Sequence, residues 1–195
     1  MRRDRWKKQL AYCIAGALAL GSAALAQDQS AQTAHQHGPV AQHRPSPNDL
    51  IRIVKEATAR YQDVAVAEAD GYQLMFGCVS GEDSGAMGLH YVKMPLVADP
   101  ALNPAQPEIV IYEAVGNGRL RLIGADFLVT KEAWHTQNAA PPELLGQLLH
   151  LFESPNRFGL PDFYTLHVWA WKDNPNGAFV NWHPKVSCEK FNAEG

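Results

Sequence analysis

Residues 163–172, Phe-Tyr-Thr-Leu-His-Val-Trp-Ala-Trp-Lys, leave the chain few ways to fold. Read with the two-residue period of a strand, Thr165, His167, Trp169 and Trp171 share one face, and Leu166, Val168 and Ala170 the other. Neither face belongs in water. The first carries an imidazole and two indoles, whose N–H groups need partners once the rings are covered. That face therefore packs beneath other chain with its polar atoms satisfied, or it lines a pocket.

The segments before it supply the cover. Pro47-Asn48-Asp49 offers a helix N-cap, and Leu50, Ile53, Val54, Ala57, Tyr61 and Val64 then recur at helical spacing, with a restart at Asp63 and a stop by Gly71. Residues 72–78 and 87–93 read as strands. Residues 108–113 and 120–129 carry the clearest strand patterns, and Gly116-Asn117-Gly118 between them is a hairpin signal that pairs them antiparallel. Residues 131–135 predict one helical turn. Residues 141–152 predict a second short helix, with proline at its start and Leu144, Leu148, Leu151 and Phe152 on its buried side. The expected fold class is α+β: a mostly antiparallel sheet of four to five strands, with one long N-terminal helix and one or two short helices packed on it.

The N-terminus reads as an export signal. Arg2, Arg3, Arg5, Lys7 and Lys8 precede an apolar run over residues 10–25, and Ala24-Leu25-Ala26 is an A-x-A cleavage site, which places a signal peptide at 1–26. The run is shorter than the roughly 20 apolar residues of a spanning helix, so no stable membrane insertion is expected after cleavage. Residues 27–47 hold Gln, Ala, Ser, His and Pro with almost no large apolar side chain, and read as a disordered linker. Residues 48–195 are left as a single α+β domain, and the expected location is secreted or periplasmic.

Cleavage removes five of the 17 Lys and Arg and one of the 20 Asp and Glu, leaving 12 against 19, a balance of −7. That balance, without a basic cluster, argues against nucleic acid as a partner and is compatible with a cation. Of three cysteines, Cys13 leaves with the signal. In an oxidising compartment the economical reading of Cys78 and Cys188 is one disulfide, the alternative being two free thiols that hold a metal.

At Gly85-Ala86-Met87-Gly88-Leu89-His90-Tyr91, at Pro155-Asn156-Arg157-Phe158-Gly159-Leu160-Pro161, and from Leu166 through Asn174-Pro175 to Ser187-Cys188, the chain resembles a family of uncharacterised secreted bacterial proteins. The resemblance covers roughly residues 60 to 188. It implies export and brings no activity with it. The chain departs from it at Trp182-His183-Pro184, where the family has Trp-Asn-Pro, so His183 stands outside the candidate set.

The candidate chemistry rests on histidines from separate elements. His90 points opposite to Tyr91 on its strand and faces the side of His167 if the two strands share a sheet; His150 projects from the end of the expected second helix. With Glu113 these form a candidate metal set of His90, His150, His167 and Glu113, and Tyr91, Trp169 and Trp171 are candidate ligand contacts. No pair has the spacing of H-E-x-x-H or of a strand H-x-H, and no G-x-S-x-G is present. Three readings stay open. The preferred one is a binding protein that holds a small ligand or a metal ion, a divalent one being the cofactor in view, on a His/Trp-lined sheet face. The others are a metal- or His/Glu-dependent hydrolase or lyase, and a structural envelope protein whose polar groups satisfy one another.

Overall fold

The structure, a computed structural model, describes residues 46–193. The expected signal peptide, and the expected linker apart from its last two residues, lie outside the described residues. In chain order the elements are α1 (Pro47–Thr58), a 3-10 turn (Ala59–Gln62), α2 (Val64–Ala69), β1 (Gln73–Ser80), β2 (Ala86–Val92), α3 (Met94–Val97), β3 (Ile109–Gly116), β4 (Arg119–Thr130), α4 (Lys131–His135), β5 (Glu143–Leu144), β6 (Gln147–Leu148), β7 (His150–Phe152), β8 (Phe163–Val168) and α5 (Glu189–Asn192). Six strands form one antiparallel sheet in the order β1-β2-β3-β4-β8-β7, and β5 and β6 make a separate hairpin. The architecture is α+β with one more strand in the sheet than expected, because β7 adds an edge.

The long N-terminal helix expected from the apolar stripe is instead three pieces. Pro47 opens α1, and the Asp49 carboxylate accepts from the Ser46 backbone N–H at 2.9 Å. Leu50 and Val54 are fully buried against Phe127, Leu166 and Val168 on β4 and β8. Each such side chain contributes about 1.5–3 kcal/mol by leaving water. Asp63 breaks the run: its backbone is extended, and its carboxylate accepts from Ala65 N at 3.0 Å to start α2.

The β3–β4 hairpin turns at Asn117 and Gly118, whose φ values of 56° and 64° are those of a two-residue type I′ turn, the conformation that Asn-Gly favours. Its register sets Ile109 opposite Asp126, and β4 then sets Asp126 opposite His167 on β8. All six residues of β8 are buried. One face of the sheet carries Leu89, Tyr91, Val110, Tyr112, Phe127 and Leu166 towards α1 and α2. The other carries Val92, Ile109, Ile111 and Leu128, and is covered by Phe158, Leu160, Val186 and Cys188 from irregular segments.

Two expected elements are different. Residues 141–152 are not a helix. Leu145 and Gly146 have φ of 49° and 84° and form a tight turn between β5 and β6, so Leu148 and Leu151 are exposed, at 63% and 41%, and the apparent helical stripe is a coincidence of leucine spacing. The strand expected over residues 163–172 ends at Val168. There the Ala170 N–H turns back to the Val168 carbonyl (2.9 Å) while the Trp171 N–H reaches the Ile123 carbonyl (3.1 Å), which breaks the two-residue period between Trp169 and Trp171.

The β4–β8 contact that aligns Asp126 with His167 leaves no room at Gly124, where a Cβ would stand 2.4 Å from the Val168 carbonyl oxygen. Gly124→Ala is expected to force the strands apart and lower stability by about 1–3 kcal/mol, the usual cost of overpacking. Thermal denaturation reads this directly, and an unchanged Tm would mean that the ladder has slack at this point.

Candidate metal centre

Three side chains meet on the sheet face opposite α1 and α2. His90 comes from β2, Asp126 from β4 and His167 from β8; each offers one ligand atom, and these atoms lie within 4.8 Å of one another. Alternation is what brings them together. His90 alternates with Val92 and Asp126 with Leu128, and His167 follows Phe163 and Thr165 on β8, so each occupies a slot in a mostly apolar row. The two imidazole centroids are 6.0 Å apart and the rings are nearly perpendicular, at 77°.

The supporting contacts orient two of the three. His90 Nδ1 lies 3.2 Å from the Gly88 carbonyl, so this nitrogen is the N–H donor and Nε2 keeps its lone pair for the site. The Thr165 hydroxyl donates to Asp126 Oδ1 at 2.5 Å, which leaves Oδ2 turned to His167. The third, His167, is held by packing. Its ring lies 4.4 Å from the Trp169 ring and tilted by 32°.

His167 is the anomaly. It is 1% exposed, and neither ring nitrogen has a hydrogen-bond partner. Asp126 Oδ2 is 3.9 Å from Nδ1, beyond hydrogen-bond range. Each buried polar atom left in that state costs about 1–3 kcal/mol. Donor atoms on a tetrahedral zinc-sized ion, with bonds of about 2.1 Å, stand roughly 3.4 Å apart, so the three residues close on such an ion by movements of under about 1 Å.

The electrostatics are those of a set waiting for positive charge. Burial lowers the His90 imidazolium to about 4 and holds His167 well below the ordinary histidine range. Burial also raises Asp126 to about 7, against the Thr165 hydroxyl and the backbone N–H groups of Leu166 and Phe127, which favour its charged form. Near neutral pH the imidazoles are uncharged and hold lone pairs, as metal ligands must.

Beside His90 and Asp126 is a cavity of about 30 Å³, walled by Phe76, Met87, Phe152, Phe158, Leu160 and Phe163. Phe163 is buried, Phe152 and Phe158 are half-buried and Phe76 is exposed, so this wall reaches the surface.

Other candidates fall elsewhere. Glu113 is not part of the group: its carboxylate is bound by Arg121 (Nε to Oε1, 2.6 Å) and by Lys172 (Nζ to Oε2, 2.6 Å). His150, on β7 and not on a helix, pairs across the ladder with Thr165 but is exposed and stands outside the group. Tyr91 faces the helices, edge-on to Tyr112 at 5.1 Å, away from His90. Trp171 has likewise crossed to the helix side, where its Nε1 donates to Thr58 Oγ1 at 2.9 Å. Trp169 stays with His167 as a buried wall, its Nε1 donating to the Val180 carbonyl. His183 shows what a satisfied histidine looks like in the same neighbourhood. Its Nε2 donates to the Asp173 carbonyl at 3.1 Å, and its Nδ1 accepts from Lys185 N at 3.0 Å.

Sequence reasoning passed over Asp126 as a ligand. The signal was present: it is the one charged residue between Leu122 and Val129, in a strand whose alternation puts it on an apolar face. Cys78 and Cys188 are joined, with Cα atoms 5.6 Å apart. No described helix is long and apolar enough to cross a membrane.

Fold and site together define a class, an α+β domain with a buried two-histidine, one-carboxylate cluster. No protein-family model matches the chain, and no curated protein or solved structure matches it either.

Proposed function

We propose that this is an exported protein that binds a divalent transition-metal ion through His90, Asp126 and His167. The observation that carries the reading is the buried His167 ring with both nitrogens unpartnered, beside two other donors. A metal ion turns that unfavourable arrangement into a coordinate bond. Two imidazoles and one carboxylate suit zinc, copper(II), nickel or iron(II); magnesium and calcium, which take six or more oxygen ligands, do not fit the set. Binding of a small organic ligand against the aromatic wall loses ground because His167 does not line that cavity, so such a ligand leaves both its ring nitrogens unpartnered. A purely structural network loses ground to the same orphaned ring.

The test is calorimetric titration of the metal-free protein with zinc at neutral pH. One ion per chain is expected, and no heat and no uptake would overturn the proposal. The pH dependence has a definite sign. Burial holds Asp126 at about 7 in the metal-free protein, so below that pH the ion displaces a proton, and above it does not. Affinity is therefore flat above about pH 7 and falls about tenfold per unit below it. His90, lowered to about 4, adds no second proton between pH 7 and 5. A slope of two protons in that interval would show that an imidazole is charged in the metal-free site.

A further inference from the structure

We infer that a concavity walled by Arg121, Lys172, Lys185 and Lys190 binds a small phosphate-bearing molecule through its phosphate group. A metal ion at His90, Asp126 and His167 plays no part in it. On the β3–β4 ladder the pair Glu113–Arg121, at this concavity, lies nearer the turn than the pair Ile109–Asp126.

No stretch of the sequence beyond residue 26 is a basic cluster, and the fold makes one. Arg121 comes from β4, Lys172 from the chain just past β8, Lys185 from the segment before Cys188, and Lys190 from α5. Together they wall a space of about 250 Å³. Four of the chain's 17 Lys and Arg meet here with one of its 20 Asp and Glu, Glu113, so a chain of net charge −3 carries a local excess of three positive charges.

Holding Glu113 does not explain that excess. Both oxygens of this buried carboxylate are engaged by two of the cations, Arg121 Nε on Oε1 and Lys172 Nζ on Oε2, each at 2.6 Å. Lys185 and Lys190 are left over. Among the described residues the Lys185 ammonium has no hydrogen-bond or ion-pair partner, and Lys190 Nζ gives one bond, to the Val115 carbonyl at 3.3 Å, which leaves it two N–H groups. Ser187 Oγ accepts from Glu189 N at 3.4 Å and keeps its O–H to donate. The unspent polar groups on this wall are therefore donors, most of them charged.

Donors from four segments select the ligand. A carboxylate offers one charge and two oxygens in a plane, whereas a phosphate monoester carries about −1.5 to −2 near neutral pH and three acceptor oxygens that point apart. The remainder of the chain is acidic in balance, which repels a polymer of phosphates or an anionic membrane surface and leaves a small molecule as the guest.

The test titrates inorganic phosphate into the full mature chain with a chelator present, so that zinc is absent, and follows binding by phosphorus NMR. One phosphate per chain is expected, with affinity falling as sodium chloride rises and with acetate at least about tenfold weaker. Lys185→Gln and Lys190→Gln should each weaken phosphate about tenfold, since each removes a charge-assisted hydrogen bond. Both side chains are exposed, so the Tm should stay where it was and the loss is not one of fold. Lys93→Gln, beside Glu108 at the other end of β3, should change nothing. No phosphate uptake, acetate bound as well as phosphate, full affinity in both lysine variants, or an equal loss in Lys93→Gln would each overturn the inference while leaving the metal reading intact. Vesicles of phosphatidylcholine and phosphatidic acid separate the sources of phosphate: the protein is expected to stay in solution, and sedimentation that Lys185→Gln and Lys190→Gln abolish would overturn the small-molecule assignment in favour of a lipid headgroup.

Discussion

Replacing His167 with leucine is expected to weaken zinc binding by more than about 100-fold and, without metal, to leave the protein as stable as before or more so. The first figure follows from what lesser changes do: losing a residue that merely orients a metal ligand costs about 10–100-fold, and losing the ligand costs more. The second follows from the orphaned ring. Leucine is close to histidine in volume and has nothing to satisfy, so the substitution removes two unpaired polar atoms that each cost about 1–3 kcal/mol. A structural histidine behaves in the opposite way, and the chain contains the control. His183→Leu strands the Asp173 carbonyl and the Lys185 N–H and is expected to lower the Tm. Should His167→Leu unfold as easily as His183→Leu while still taking up zinc, the metal reading is wrong.

Reduction of the Cys78–Cys188 bond is expected to lower the Tm by about 10–20 °C. The bond joins residues separated by 110 positions, and constraining a loop of that length in the unfolded chain is worth about 4–5 kcal/mol. For a protein of this size each kcal/mol moves the Tm by roughly 2–4 °C. Local geometry adds to the argument. Cys78 follows a bulge in β1, one of the two edge strands, where Phe76 and Gly77 take φ of 66° and 62°, and Cys188 closes the segment that carries His183 and Val186 over the sheet. Cutting the bond frees both the edge and its cover. Thermal scans with and without reductant, paired with a thiol assay, decide it: two thiols appearing only after reduction is the expected count, and free thiols in untreated protein would end the claim.

Much of this was legible along the chain because the relevant physics is local. The period of two over residues 163–168, the Asn117-Gly118 turn and the Asp63 restart each depend on neighbours within a few positions. The same locality misled at residues 141–152, where leucines at helical spacing sit in a hairpin because Leu145 and Gly146 turn the chain. It misled again at Trp171, which a tight turn at Ala170 sends to the other side of the sheet.

The residues alone determined that β8 would have no solvent face, that β3 and β4 would pair, and that two cysteines remained to pair if residues 1–26 are removed. Only the tertiary structure decided that the carboxylate beside His90 and His167 is Asp126 and not Glu113, and that His150 stays at the surface. Alternation tells which way a side chain points, but the partner it meets depends on strand order and register. Those are set by contacts between residues scores of positions apart, as the β2, β4 and β8 origins of the three donors make plain.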